Sequence, residues 1–175
     1  LETYLRITLG ENNGESPGIP YVIEIWPPGH YSPIHNHAGA SAIIRVLHGG
    51  INVSLFSFLC EGDEGIEPFA KVDFTKDQVT WISPSLNQIH QLKNTDQSTT
   101  CVTIQCYMYE TDDTGHYDYF DYLDASGKKE QFDPDSDMDF LSFKALMKME
   151  WDEVNAMKNS ITDSYTYFRP SNANF

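Results

Sequence analysis

Two histidines one residue apart, His35 and His37, are the residues of this chain best suited to chemistry; they lie in Gly29-His30-Tyr31-Ser32-Pro33-Ile34-His35-Asn36-His37. Side chains of an extended strand alternate with period two, so His-x-His presents both imidazoles on one face. A third nitrogen from a neighbouring strand would complete a facial metal site, and His90 in Pro84-Ser85-Leu86-Asn87-Gln88-Ile89-His90-Gln91-Leu92-Lys93-Asn94 supplies it. A lone buried histidine is more often a structural hydrogen-bonder; a pair at this spacing with a third in reach reads as a metal site. Three imidazoles suit iron, zinc, nickel or copper, so the ligand set alone leaves the metal open. His30, His48 and His116 lack such context and read as turn or surface residues.

The elements that must position these ligands are short strands. Tyr21–Trp26, Ala42–Leu47, Ile51–Leu59, Val79–Ile82, Gln88–Lys93 and Cys101–Tyr109 carry β-branched or alternating apolar patterns. Ile34–His37 leads into the second of these, Leu1–Leu9 alternates loosely, and Tyr117–Leu123 is a further candidate. Gly10–Gly18, Pro27-Pro28-Gly29, His48-Gly49-Gly50 and the acidic Glu61–Pro68 are turns or loops. Strands at such spacing predict an all-β sandwich or barrel over 1–134. Phe140, Phe143, Met147, Trp151 and Val154 then mark one face of a helix. Asp135, Ser136, Asp137 and Asp139 stand where a cap and first turn favour them. The reading is a second segment, 135–175, of helix and surface tail packing on the barrel, with the apolar stripe as core.

With 26 acidic against 11 basic residues the net charge is −15, which repels phosphate backbones and argues against nucleic-acid binding. No apolar run approaches the roughly 20 residues of a membrane span. Cys60, Cys101 and Cys106 form no zinc spacing and cannot all pair, which suits a reducing cytoplasm. The Asp112–Asp139 stretch lacks a regular calcium loop with its closing Glu and reads as solvated acidic loop.

Gly29, His35-x-His37 and Gly49 resemble the first motif of the cupin superfamily, and Pro84…His90…Asn94 resembles the second. Asn87 stands where the family usually has Gly, and Asn also tolerates a positive φ. The resemblance implies a double-stranded β-helix, a jelly-roll-like barrel, with His35, His37 and His90 as ligands. Most cupins add a Glu four or five residues after the second His; here that position is Ser41 or Ala42. A neutral three-His site leaves a divalent metal its full charge and three open positions, which favours a chelating thiolate with room for O2.

That pattern resembles the thiol dioxygenases typified by cysteine dioxygenase, from about Tyr4 to Asp133. Tyr4-Leu5-Arg6 matches the family's Tyr-x-Arg segment, whose guanidinium binds the substrate carboxylate. Trp26 falls on the family's Trp ahead of the first His motif, and Asp121–Gly127 near its late Phe-Asp…Gly turn. The family's strand bearing Ser, His and Tyr at alternate positions lands on Thr103, Gln105 and Tyr107, with the phenol aimed at the metal. Animal members carry, where Ala42 stands, a Cys cross-linked to the tyrosine; Ala42 removes that link, and Cys106 points to the opposite face. The family's His is Gln105, which hydrogen-bonds a phenol but cannot shuttle a proton near pH 7.

The resemblance implies Fe(II) as cofactor and a small-molecule thiol and O2 as partners, in a cytoplasmic monomer or weak oligomer. The activity implied is oxidation of cysteine to cysteine sulfinic acid, with Tyr107 and Arg6 catalytic, Tyr4, Arg6 and Trp26 lining the substrate, and Thr103 and Gln105 steadying the phenol. Another small thiol such as 3-mercaptopropionate, a cupin lyase or isomerase, and a non-catalytic cupin are the alternatives.

Overall fold

A computed structural model of the protein describes residues 4–10, 21–62, 66–108 and 119–166. The loop expected at residues 11–18, His116, residues 117–118 of the strand expected from Tyr117, and most of the expected tail lie outside them. Eleven strands are described: β1 (Leu5–Gly10), β2 (Tyr21–Trp26), β3 (Ile34–His35), β4 (Ser41–His48), β5 (Gly50–Phe56), β6 (Ala70–Thr75), β7 (Val79–Ile82), β8 (Ile89–Lys93), β9 (Cys101–Met108), β10 (Phe120–Leu123) and β11 (Lys129–Phe132). They form two antiparallel sheets, one ordered β1-β2-β9-β4-β7 and the other β11-β10-β3-β8-β5-β6. Trp26, Val46 and Cys101 of the first share one buried cluster with Ile51, Val53 and Leu92 of the second, so the sheets face each other across a common core. Each such side chain removed from water contributes about 1.5–3 kcal/mol. The all-β expectation holds.

Inward and outward residues alternate as the pattern predicts. On β9, Cys101, Thr103, Gln105 and Tyr107 are all buried, whereas Cys106 lies on the other face. Ala42 stands directly opposite Tyr107 in the β4–β9 ladder, where a sulfur would meet the ring; a methyl group takes its place. Gly49 in the β4–β5 turn has φ +68, and a Cβ there would lie 2.7 Å from the Thr100 carbonyl oxygen, so a side chain is both strained and crowded. Asn87 has φ 60, the conformation that made it an acceptable stand-in for glycine.

Two strands escape the hydrophobic pattern, β6 and β11. Both are sheet edges, and their sequences Ala-Lys-Val-Asp-Phe-Thr and Lys-Glu-Gln-Phe carry the charges that blunt an edge against further pairing. A second difference concerns His-x-His. Strand β3 ends at His35, and His37 lies beyond it in a turn closed by the Ala40 N–H on the His37 carbonyl.

The second motif works as a clasp. Asn94 is fully buried, and its Nδ2 donates to the carbonyls of Trp26, Pro27 and Thr99, tying the end of β8 to the turn after β2. Asp121–Gly127 spans β10 and the turn to β11, with the Gly127 N–H on the Asp124 carbonyl.

The chain divides into two compact units, Leu1–Asp137 and Met138–Phe175. The second contains α1 (Phe140–Thr166), capped by Asp139, whose carboxylate accepts from the Ser142 N–H at 3.0 Å and from its hydroxyl. Of the apolar stripe, Phe143 is buried, but Trp151 is 67% exposed and Met147 and Val154 are exposed as well, so the core reading of the stripe holds for Phe143 alone. Among the described residues no helix is long and apolar enough to cross a membrane.

Candidate active site

His35 on β3 lies directly opposite His90 on β8, and the turn after β3 brings His37 to the same point. All three rings are buried, and one ligating atom from each lies within 4.8 Å of the others. Ring centroids are 4.8 Å apart for every pair. His35 Nδ1 lies 3.0 Å from the Pro33 carbonyl, which fixes the proton there and turns Nε2 inward with its lone pair. His37 Nε2 and His90 Nε2 are 3.0 Å apart, the separation of two nitrogens at right angles about 2.1 Å from one ion. Among the described residues His37 Nδ1 is buried with no hydrogen-bond partner. The donor set therefore suits a divalent transition metal, Fe(II) included.

Electrostatics agree. Burial lowers His35 to about 4 and His37 and His90 well below the ordinary value, so all three are neutral at pH 7 and able to ligate. The sign of the linkage follows. A histidine whose folded value is depressed contributes stability above its unfolded value of 6.5, and that stability is lost as pH falls through 6.5 toward 4. The melting temperature of the metal-free protein should thus change little from pH 8 to about 7 and fall between 6.5 and 4, where three depressed histidines outweigh the opposite contribution of the raised Glu24 carboxyl. A flat profile across that window would mean that the rings are hydrated rather than enclosed.

Around the histidines the structure gathers five of the other residues singled out in the sequence. Tyr4, Arg6, Trp26, Gln105 and Tyr107 line the same cavity as the three imidazoles. Tyr4 stacks on Trp26 with ring centroids 4.2 Å apart, and the His37 and Tyr107 centroids are 5.4 Å apart. Thr103 is placed differently from the expectation: its hydroxyl accepts from Trp26 Nε1 at 3.3 Å and so steadies the indole rather than the phenol. Gln105 does meet Tyr107, and the phenol donates to the amide oxygen.

The cause is a residue that the sequence reading passed over. Glu24 is 3% exposed and lines the cavity. It stands opposite Arg6 in the β1–β2 ladder and opposite Thr103 in the β2–β9 ladder. Its Oε1 accepts from Arg6 Nη1 at 2.8 Å, and its Oε2 accepts from Gln105 Nε2. A carboxylate only accepts, so the Gln105 NH2 must face it and the amide oxygen must face Tyr107. Burial pushes the Glu24 carboxyl up to about 7, with Arg6 and the Gln105 hydrogen bond pulling it back. Burial works against the Arg6 charge, yet its neighbours Tyr107, Glu24 and Tyr4 raise it overall. Arg6 Nε also donates to the Pro134 carbonyl at 2.9 Å, and its backbone N–H donates to Asp137. One signal was available: in Val22-Ile23-Glu24-Ile25-Trp26 the inward positions are Val22, Glu24 and Trp26, and a carboxylate on a core face needs a partner. Gln88 was also missed; it braces the His37–Ala40 turn, accepting from the Gly39 N–H and donating to the Ala40 and Ser83 carbonyls.

A sequence model of cysteine dioxygenase type I matches residues 2–119, about two thirds of the chain, including Tyr4, Arg6, Glu24, Trp26, Gln105, Tyr107 and the three histidines. The chain belongs to the cysteine dioxygenase type I family. Its sequence is 26% identical over 105 residues to cysteine dioxygenase type 1 of Danio rerio, covering 59% of this chain and 50% of that protein. The chain thus spans about half the length of the curated relative it matches. Among solved structures, a protein of Thermus thermophilus aligns over 61% of this chain and 84% of its own, with 14% identity and TM-score 0.45. A double-stranded β-helix protein of Klebsiella pneumoniae aligns over 64% and 80%, with 13% identity and TM-score 0.47. In this chain Ala42 stands opposite Tyr107, the phenol donates to Gln105, and Glu24 joins Gln105 to Arg6.

Proposed function

We propose that this protein is an iron-dependent thiol dioxygenase that converts a small thiol, cysteine first, to its sulfinate with O2. The observation that carries the reading is the convergence of three buried, neutral imidazoles, with no acidic ligand beside them among the described residues. Membership in the cysteine dioxygenase type I family supports the same chemistry. Fe(II) held by His35, His37 and His90 would supply a Lewis-acidic, redox-active centre that deprotonates a coordinated thiol and activates O2.

The chain's own residues do the rest. The Tyr4–Trp26 stack forms an apolar wall that keeps water from the reacting sulfur, and Thr103 fixes the indole in that wall. Tyr107 holds its hydroxyl inside the cavity with the proton directed at the Gln105 amide oxygen, and the O–H turns to the substrate as charge develops there. The amide oxygen accepts this hydrogen bond without taking up the proton near pH 7, so Gln105 holds the phenol in one rotamer until then. Arg6 forms the polar side of the cavity, held by Glu24 and by the Pro134 carbonyl.

Oxygen uptake by the iron-loaded protein with cysteine, 3-mercaptopropionate and cysteamine, with sulfinate measured in parallel, tests this reading. Stoichiometric sulfinate from at least one thiol is expected; uptake of no oxygen with any of them would contradict it. Tyr107→Phe should lower turnover roughly 10- to 100-fold, the usual loss for one positioned donor. Because Ala42 carries no sulfur, the protein should also run as a single species with no Cys–Tyr adduct by mass. Unchanged turnover in Tyr107→Phe would remove the phenol from the mechanism.

A further inference from the structure

Arg6 is the only cation among the residues described around the cavity, and a buried acid already holds it. The pair is enclosed, with side-chain exposures of 11% for Arg6 and 4% for Glu24, so solvent screens it little. Both carboxylate oxygens are engaged, one by Arg6 and one by Gln105. Arg6 Nη1 and Nε are engaged in turn by Glu24 and Pro134. A guanidinium grips a carboxylate most strongly when its charge is uncompensated and its donors are free; here Glu24 offsets the charge, and two of the five N–H donors already serve Glu24 and Pro134.

We propose that Glu24 is the specificity-determining residue of this site: by holding Arg6 in a buried ion pair it removes the carboxylate grip of a free arginine, so that small thiols are selected by their sulfur and accepted with or without a carboxylate. The proposal rests on the thiol-dioxygenase reading and narrows its substrate class to small aliphatic thiols irrespective of carboxylate. Glu24 acts here through Arg6, with its two oxygens taken by Arg6 and Gln105. It is a positioning and charge-offsetting residue.

The experiment compares 3-mercaptopropionate, which carries a carboxylate, with cysteamine, which carries none. Binding of both to the zinc-substituted full chain is measured at about pH 8, above the value of about 7 to which burial pushes Glu24. Steady-state kinetics of the iron-loaded chain are measured under the same conditions. The parent should bind the two thiols within about tenfold of each other. Glu24→Gln keeps the side chain's size and an oxygen for Arg6 but removes the charge. It should shift the affinity ratio toward 3-mercaptopropionate by about tenfold or more; any change in kcat through Gln105 and Tyr107 is common to both thiols, so the discrimination should appear in the ratio of their KM values.

An unchanged ratio in Glu24→Gln would overturn the proposal. The double variant Arg6→Met with Glu24→Met replaces the pair by apolar side chains of similar length and guards against a misfolded single variant. It should keep the parent's ratio. A tenfold loss of 3-mercaptopropionate binding in that variant would show that Arg6 grips the carboxylate despite Glu24, and would equally overturn the proposal. Failure of the parent to oxidise any thiol would sink the dioxygenase reading instead, while the zinc-substituted affinities would still decide the role of Glu24.

Discussion

Changing His90 to alanine should abolish stoichiometric iron binding and lower oxygen uptake at least 100-fold, roughly. His90 is 1% exposed, faces His35 across the β3–β8 ladder and brings Nε2 to 3.0 Å from His37 Nε2, so no neighbouring side chain can take its place. Two remaining imidazoles would leave the ion half-held and hydrated. His35→Ala and His37→Ala should behave alike, since the three nitrogens form one cluster. Circular dichroism and the melting temperature of the metal-free variant separate loss of the site from loss of the fold. A folded His90→Ala protein that still carries one iron per chain would contradict the assignment.

The second large effect concerns stability. Arg6→Ala should destabilise the protein by about 3–5 kcal/mol, because it strands the buried carboxylate of Glu24 rather than merely deleting a surface charge. The loss has a pH signature. Without Arg6 the Glu24 carboxyl rises further above its ordinary value, and an acid whose folded value is raised binds more protons in the folded state. Stability of the variant must then fall as pH rises, so the gap to the parent widens from pH 6 to pH 8. The double variant with both Arg6 and Glu24 changed to Met should recover most of the loss, since it leaves no charge behind. Urea denaturation of the metal-free proteins at the two pH values measures all of this. An Arg6→Ala protein as stable as the parent at pH 8 would place Glu24 in contact with water.

The three-histidine cluster was legible in the sequence from ligand spacing: His35-x-His37 brings two rings together, although a turn after β3 and not the strand period places His37, and the motif around His90 brings the third. Burial of Thr103, Gln105 and Tyr107 on one face of β9 follows from the same period of two. What the pattern could not give was the partner of each inward polar group. Thr103 meets the Trp26 indole and not the phenol because strand β2, with Trp26 and Glu24, lies directly beside β9. Arg6 looked like a free carboxylate receptor because nothing in Tyr4-Leu5-Arg6 reveals that β1 pairs β2 in the register that sets Arg6 opposite Glu24. Register is a long-range property, and here it decides the chemistry of the site. Edge strands β6 and β11 were missed for another reason: an edge has no second neighbour to demand an apolar face, and its charges erase the alternation.

The central claim is that the three-histidine centre inserts both atoms of O2 into a thiol sulfur. The most direct measurement is turnover of the iron-loaded chain with cysteine under isotopically labelled O2, followed by mass analysis of the product. Cysteine sulfinic acid carrying two labelled oxygen atoms is the predicted result. A disulfide as sole product, or a sulfinate whose oxygens come from water, would contradict the account.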